Sequence, residues 1–344
     1  LPIERLATTV FEGDETAPRD EETAKLKEMV GFLPENIFYL PKSENWWELD
    51  RGPCGPDSEI FYITDTKPCG PNCTPACDCG HYVEIGNDVF MQYEKVADDK
   101  YVLLSKKNVD TGWGFERILA FLNETGDVYL TDLFKNAIEI LEEASGKRYK
   151  EEEKSTISMR IIADHIRTSV MLLGDTNHLV PSNVGAGYIL RRLIRRAVRH
   201  ARNLNISTKV FEELAINFID NVYGEFYPNL VQSKDFILAE LNKEISKFEK
   251  TINLGMKEFD KVILRLSDKG LNTIDGESSF KLYDTYGFPI ELTQELAEDK
   301  GFTVDMNGFE EKFREHQEKS RTVDTGKFKG GLESAGEMET KYHT

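Results

Sequence analysis

Along this 344-residue chain the apolar and polar positions follow two successive rhythms. Over roughly the first 110 residues the apolar residues come in short β-rich runs: IFYL (38–41), EIFYI (59–63), DVFMQY (88–93) and YVLL (101–104). Turns rich in Pro, Gly and Cys separate them, which predicts an antiparallel sheet. No helix-length amphipathic segments alternate with these runs, so a doubly wound parallel sheet is disfavoured. After VDTGWG the period changes to 3.6, and helices are expected over Phe115–Leu122, Leu130–Ala144, Ile157–Leu173, Tyr188–Arg202 and Val210–Val222. A longer amphipathic stretch, about Phe236 to Ser267, carries Ile237, Leu241, Ile245, Phe248, Ile252, Phe259 and Ile263 on one stripe, as ordinary packing against a helical domain requires. The expected fold class is α+β: a sheet-bearing domain over 1–125, a helical domain over 126–267, mixed short elements over 268–322, and a linker-like end over 323–344.

Composition narrows the class. Apolar residues make up 40% of the chain and aromatics 10%, enough for globular cores. No apolar run approaches the roughly 18 residues of a membrane span, and LPIERLATTVFEGDE lacks a basic-then-apolar leader, so a cytoplasmic setting without a membrane is expected. Leu1 in place of an initiator methionine points to a piece of something longer. The net charge of −18 argues against nonspecific nucleic-acid binding, but it hides an asymmetry. From Arg160 to Arg202 there are eight Arg, no Lys, no Glu and two Asp, a basic island that points to a specific anionic partner.

Three patterns carry candidate chemistry. Cys69, Cys73, Cys77 and Cys79 crowd into eleven residues, with His81 just beyond. Their spacing resists two unstrained disulfides and suits tetrahedral thiolate coordination of Zn²⁺, which would be structural because no open position or base adjoins it. A reduced loop or a single disulfide remains the alternative. Cys54, standing apart in GPCGP, reads as a buried thiol rather than a nucleophile. In NVDTGWGFERIL, Asp110 can grip an ammonium group, Gly112 and Gly114 allow close approach of a base, and Arg117 can stack on adenine or hold a phosphate; a plain turn leading into a helix is the alternative. GYILRRLIRRAVRHAR lines up Arg191, Arg195, Arg199 and Arg202, with Arg192 and Arg196 alongside. Six Arg and no Lys favour bidentate phosphate contacts, set against intramolecular pairing with the acidic remainder. The Gly-rich loop before this helix, PSNVGAGY, can project Asn183 into a groove.

Taken together and in order, these motifs resemble the alanyl-tRNA synthetases. NWWELDRGPCGPDSEIFY (45–62), EIGNDVFMQY (84–93) and VDTGWGFERI (109–118) resemble their class II catalytic core, the last of them class II motif 3. RIIADHIRTSVMLL (160–173), PSNVGAGYILRRLIRRAVRH (181–200) and FKLYDTYGFPIELT (280–293) resemble their tRNA-recognition region. The class I signatures HIGH and KMSKS are absent. The resemblance implies a partial antiparallel class II core followed by a helical tRNA-recognition domain, and an enzyme that joins alanine to tRNA-Ala with ATP and Mg²⁺. It assigns the alanine amino group to Asp110, the methyl pocket to Trp47 and Val89, ATP to Gly112, Gly114 and Arg117, and the G·U wobble pair of the acceptor stem to Asn183 and Asp284. Arg191, Arg192, Arg195, Arg196 and Arg199 would grip phosphates. Alanine, ATP and tRNA-Ala are the implied partners; DNA and membrane are not.

The departures from the family pattern are specific. TTVFEGDE (8–15) resembles a segment that lies well inside the family's catalytic domain, so motifs 1 and 2 are expected upstream of it. Gly86 stands where the family usually has Trp, and KYHT stops where an editing domain's zinc motif would begin, leaving His343 as its first ligand. An internal piece of a synthetase, impaired in activation and without editing, is the expectation. The rivals are a non-catalytic tRNA-binding subunit of a split synthetase and a stand-alone zinc-dependent nucleic-acid-binding protein.

Overall fold

Residues 1–324 are described by the computed structural model, with side chains through His316. The chain divides into two compact units, Leu1–Glu142 and the residues from Glu143 onward. The boundary between the units falls inside the helix Lys135–Ser145, and residues 268–322 lie in the second unit with the helices before them. The expected start of an editing domain, with His343, lies outside the described residues.

The first unit is built on β1 (Leu6–Phe11), α1 (Glu21–Met29), β2 (Ile37–Leu40), β3 (Trp46–Trp47), β4 (Gly52–Ile63), β5 (Tyr82–Ala97) and β6 (Lys100–Trp113). Its strands run in the order β2-β1-β4-β5-β6, with β3 on the flank of β4. β1 and β2 are parallel, joined through α1, while β1–β4, β3–β4, β4–β5 and β5–β6 are antiparallel. A β-α-β crossover thus opens a sheet expected to be antiparallel throughout, because TTVF is too short a run to stand out without its partners. Asp20 caps α1, its carboxylate accepting from the Thr23 amide at 2.9 Å. Beyond β6 come α2 (Phe115–Leu122), matching the expected span, and α3 (Lys135–Ser145). Phe32, Ile60 and Ile85 form a buried cluster against which Ile118 and Phe121 of α2 pack.

β4, β5 and β6 are far longer than the apolar runs that signalled them. GPCGPDS, read as turn-rich, is strand, and so is VDTGW. Gly55 is what allows the former: a Cβ there would lie 2.0 Å from the Phe90 carbonyl oxygen. Gly86, where the family usually has Trp, pairs with Trp113, and a Cβ at Gly86 would meet the Trp113 indole at 2.7 Å. The indole of Trp113 fills that place from the neighbouring strand.

The second unit contains α4 (Glu153–Leu173), α5 (Gly185–Asn203), α6 (Val210–Ile216), α7 (Pro228–Gln232), α8 (Lys234–Asp268), β7 (Thr273–Ile274), α9 (Gly276–Tyr286), α10 (Ile290–Glu298), β8 (Thr303–Val304) and α11 (Met306–Asp324). α8 follows the predicted stripe, with Ile237, Leu241, Ile245, Phe248, Ile252, Phe259 and Ile263 buried. The helix expected over Val210–Val222 is α-helical through Ile216 and continues as a π-helical stretch over Asn217–Tyr223. Short parallel β7 and β8 link α8 to α9 and α10 to α11. Among the described residues, no helix is long and apolar enough to cross a membrane.

Candidate functional site

Three of the residues singled out in the first unit, Val89, Asp110 and Gly112, are brought together by strand register. Val89 on β5 faces Asp110 on β6, and Asn87, two residues earlier, faces Gly112. Alternation along a strand then places Asn87, Val89, Asp110 and Gly112 on one face. Val89 is buried and Asp110 exposed, an apolar floor beside a free carboxylate. Asp110 and Gly112 thus stand on a strand, not in a turn; only Gly114 occupies the cap of α2. A Cβ at Gly112 would meet nothing within 4 Å, so its bareness leaves open space above the strand. Trp47 is half-buried on β3 opposite Gly55, and joins the others through β4 rather than by direct pairing. Arg117, near the start of α2, is exposed and donates to the Glu84 carbonyl at 2.8 Å and to its carboxylate at 3.0 Å.

On the same face, where Asp57 and Glu59 of β4 stand opposite Val89 and Asn87, lies a polar cluster that sequence reasoning missed: buried Thr9, Asn45 and Asp57, with half-buried Glu59 and Asn87. Burial pushes the Asp57 carboxyl upward, and burial together with the neighbouring charge of Asp57 raises Glu59 to about 8. The alternation of residues 57 and 59 with 87 and 89 was the available signal, hidden because β4 begins inside a Pro/Gly-rich stretch.

The cysteine loop joins β4 to β5. The sulfurs of Cys69, Cys73 and Cys77 lie within 4.8 Å of one another, and Cys79 Sγ is 3.6 Å from that of Cys73. Tight turns hold them, with the amides of Cys73 and Cys77 bonded to the carbonyls of Gly70 and Thr74. Hydrogen bonding from Cys73 and Cys77 pushes the Cys69 thiol up to about 12, while backbone hydrogen bonds at Thr74 and His81 lower Cys77 and Cys79. Sulfurs so crowded share protons that a cation would replace, and thiolates suit Zn²⁺. His81 Nδ1 donates to the Thr66 carbonyl at 2.5 Å. Cys54 is fully buried, and desolvation raises its thiol, as a structural cysteine requires.

In the second unit Asn183 and Asp284 line one cleft of about 380 Å³, together with Tyr188, Arg191, Lys247 and His316. Both are exposed. Asn183 Oδ1 accepts from Arg191, which turns its amide hydrogens outward, and His316 Nε2 lies 3.8 Å from Asp284 Oδ1. Lys247 and His316 were not anticipated, since α8 and α11 reach the cleft only through the fold.

The arginine helix is paired inside its own unit, the alternative that the sequence left open. Arg195 and Arg199 are 5% and 7% exposed. Arg195 bonds Glu244 and the Gly287 carbonyl, and stacks over Phe248. Arg199 bonds Glu295 and Asp299, Arg196 also meets Glu295, Arg192 meets Glu291 at 2.8 Å, and Arg191 approaches Glu244 at 3.5 Å. Arg195 and Arg199 are therefore not presented to a partner; Arg192 and Arg196 are partly exposed. Arg202 is exposed and donates to Asn253.

The family model described as tRNA synthetases class II (A) matches residues 1–343. The chain belongs to that family. It is 49% identical over 346 residues to the alanine–tRNA ligase of Treponema denticola, covering 100% of this chain and 58% of the relative. With the alanine–tRNA ligase of Borrelia hermsii it shares 47% identity over 343 residues, 99% of this chain and 57% of the relative. The alanine–tRNA ligase of Clostridioides difficile is 38% identical over 325 residues, covering 94% of this chain and 36% of the relative. The chain thus spans a little over half the length of its most similar relatives named here.

Proposed function

We propose that this chain forms the alanine pocket and the acceptor-stem-reading part of an alanine–tRNA ligase that acts in the cytoplasm. The reaction is ATP-dependent activation of alanine to alanyl-adenylate, followed by transfer to the 3′ end of tRNA-Ala. In the first step an alanine carboxylate oxygen bonds to the α-phosphorus while the bond to the β-phosphate oxygen breaks, releasing pyrophosphate. In the second the terminal ribose hydroxyl attacks the carbonyl and AMP leaves. Such chemistry depends on positioning and charge neutralisation. Asp110 answers the ammonium group, Val89 and Trp47 bound the methyl, and the open strand surface at Gly112 with Gly114 admits adenine. Arg117 reaches ATP once it exchanges Glu84 for phosphate. Mg²⁺ bound with ATP neutralises phosphate charge, and the carboxylate oxygens of this face, Glu84 among them, are the hard donors it prefers. A pocket this small rejects glycine and serine by only about 1–3 kcal/mol. Zinc held by Cys69, Cys73, Cys77 and Cys79 braces the loop and takes no part in the reaction.

The observation that carries this reading is the meeting of Asn183 and Asp284, distant in sequence, in one cleft. With its oxygen bonded to Arg191, Asn183 offers N–H donors, and Asp284 offers acceptors. That pairing suits the donor and acceptor edges of a G·U pair in the wide minor groove of A-form RNA. The test is binding to an acceptor-stem minihelix carrying G·U or G·C at the third pair. Tighter binding to G·U, abolished by Asp284→Ala, is expected; equal binding by the unaltered chain would overturn the assignment.

A further inference from the structure

The polar cluster beside Val89 and Asp110, one strand over on the same face, has a geometry that the pocket residues alone do not explain. Asp57 is 3% exposed, and side-chain amides take both its oxygens. Asn45 Nδ2 donates to Oδ1 at 3.1 Å, and Asn87 Nδ2 donates to Oδ2 at 3.1 Å. Asn45 Nδ2 also reaches Thr9 Oγ1 at 2.7 Å, and that hydroxyl oxygen accepts the Glu59 backbone N–H at 3.1 Å. The other ends of both amides are unanswered: Asn45 Oδ1 and Asn87 Oδ1 are buried without a hydrogen-bond partner.

A carboxylate only accepts, so an amide that faces it must present its NH₂ group and turn its carbonyl oxygen away. Of the two amides held in this way, Asn87 stands on β5 opposite Gly112 and shares its face with Val89 and Asp110. A buried carbonyl oxygen left without a donor is costly, and a ligand donor removes that cost. Glu59, raised to about 8 by burial and by its neighbour's charge, keeps its proton at neutral pH and leaves the amide hydrogens to Asp57.

We propose that Asp57 is a positioning residue: by holding the NH₂ of Asn87 it fixes that side chain with its carbonyl oxygen turned to accept from the ammonium group of an amino acid seated at Asp110. The inference rests on the alanine-pocket reading and deepens it, since it makes recognition of the amino group a property of a chain of residues running back to Asn45 and Thr9. A charged carboxylate specifies the amide's orientation; an Asn in its place presents either end and specifies nothing.

The test compares two non-hydrolysable adenylate analogues, alanyl sulfamoyl-adenosine and its propionyl counterpart, which lacks the ammonium group. The unaltered chain should bind the alanyl compound more tightly. Asp57→Asn should lower that preference by about tenfold while leaving propionyl binding unchanged, Asn87→Ala should do the same, and the double variant should lose no more than either alone. A merely structural role would weaken both analogues together, and that result, or an undiminished preference in Asp57→Asn, would overturn the clamp. An unaltered chain that binds both analogues with no preference, or neither, would overturn the alanine pocket itself and the clamp with it. Should Asp57→Asn fail to fold, the unaltered chain still decides. The Asn87 side-chain amide resonances should shift with the alanyl analogue and not with the propionyl one, and equal shifts with both would overturn the clamp.

Discussion

Glu295 shows how much of this chain is decided at single residues. It meets Arg196, Arg199 and His200 at once. Burial pushes its carboxyl up, but the hydrogen bonds from His200 and Arg196 and the two guanidinium charges outweigh burial and hold it at about 2. A carboxylate depressed in the folded state stabilises fully above its ordinary value of 4.5, and that stabilisation is lost as the pH falls toward 2. His200, itself bonded to Ser158 at 3.0 Å, is pushed below its ordinary 6.5 by burial, so the unfolded chain takes up a proton that the folded one resists. Both groups make acid destabilising. Melting temperature should begin to fall below about pH 6.5 and drop more steeply below about pH 4.5. Glu295→Gln should cost on the order of 3 kcal/mol at neutral pH, because it strips a largely buried guanidinium of a partner, and should flatten the acidic limb. Melts of both proteins across this range check it, and an unchanged acidic limb in the variant would refute it. None of this was legible locally: the helix Gly185–Asn203 has no acidic residue, and its partners Glu244 on α8, Glu291 and Glu295 on α10, and Asp299 at the C-cap of α10 all lie further along the chain.

At the scale of elements, legibility followed the strength of the period. α2, α4, α5 and α8 stand within a few residues of where their apolar spacing puts them, because a helix carries its own period over many turns. The long strands did not show themselves. VDTGW contains Asp and Gly, which disfavour strands, and only the register with β5 makes it one. The pocket face was therefore legible as a list of residues but not as a surface, and Asn45, Asp57 and Asn87 went unread. The cysteine loop is the reverse case, an element with no period whose spacing alone announces its chemistry. If it holds zinc, elemental analysis should find about one zinc per chain, since four thiolates make one site. Chelation should then open the loop 64–81 to protease while leaving cleavage in the second unit unchanged. A metal-free chain whose loop already resists cleavage would overturn the assignment.

At the scale of the whole molecule the question is what a net charge of −18 permits. Read as sequence, the basic island from Arg160 to Arg202 looks like a comb for phosphates, and six free guanidinium groups would make RNA binding strongly salt-dependent. The fold withdraws much of that charge: Arg195 and Arg199 are buried, and Arg191, Arg192 and Arg196 each meet a carboxylate. A chain that is acidic overall, with its arginines engaged, has little attraction for RNA in general, so on the proposed reading its affinity for an acceptor stem would come from shape and base edges in the Asn183–Asp284 cleft. The salt dependence of minihelix binding reads this directly. Six phosphates neutralised would give a log–log slope of about −4 to −5, whereas two or three contacts give about −2. We expect the shallower slope, with the preference for G·U over G·C surviving as salt is raised, because counterion release acts on both stems alike. A steep slope would mean that RNA pulls the arginines out of their carboxylate partners. Glu295→Gln would then strengthen binding by loosening Arg196 and Arg199, whereas with the pairs intact it leaves affinity unchanged.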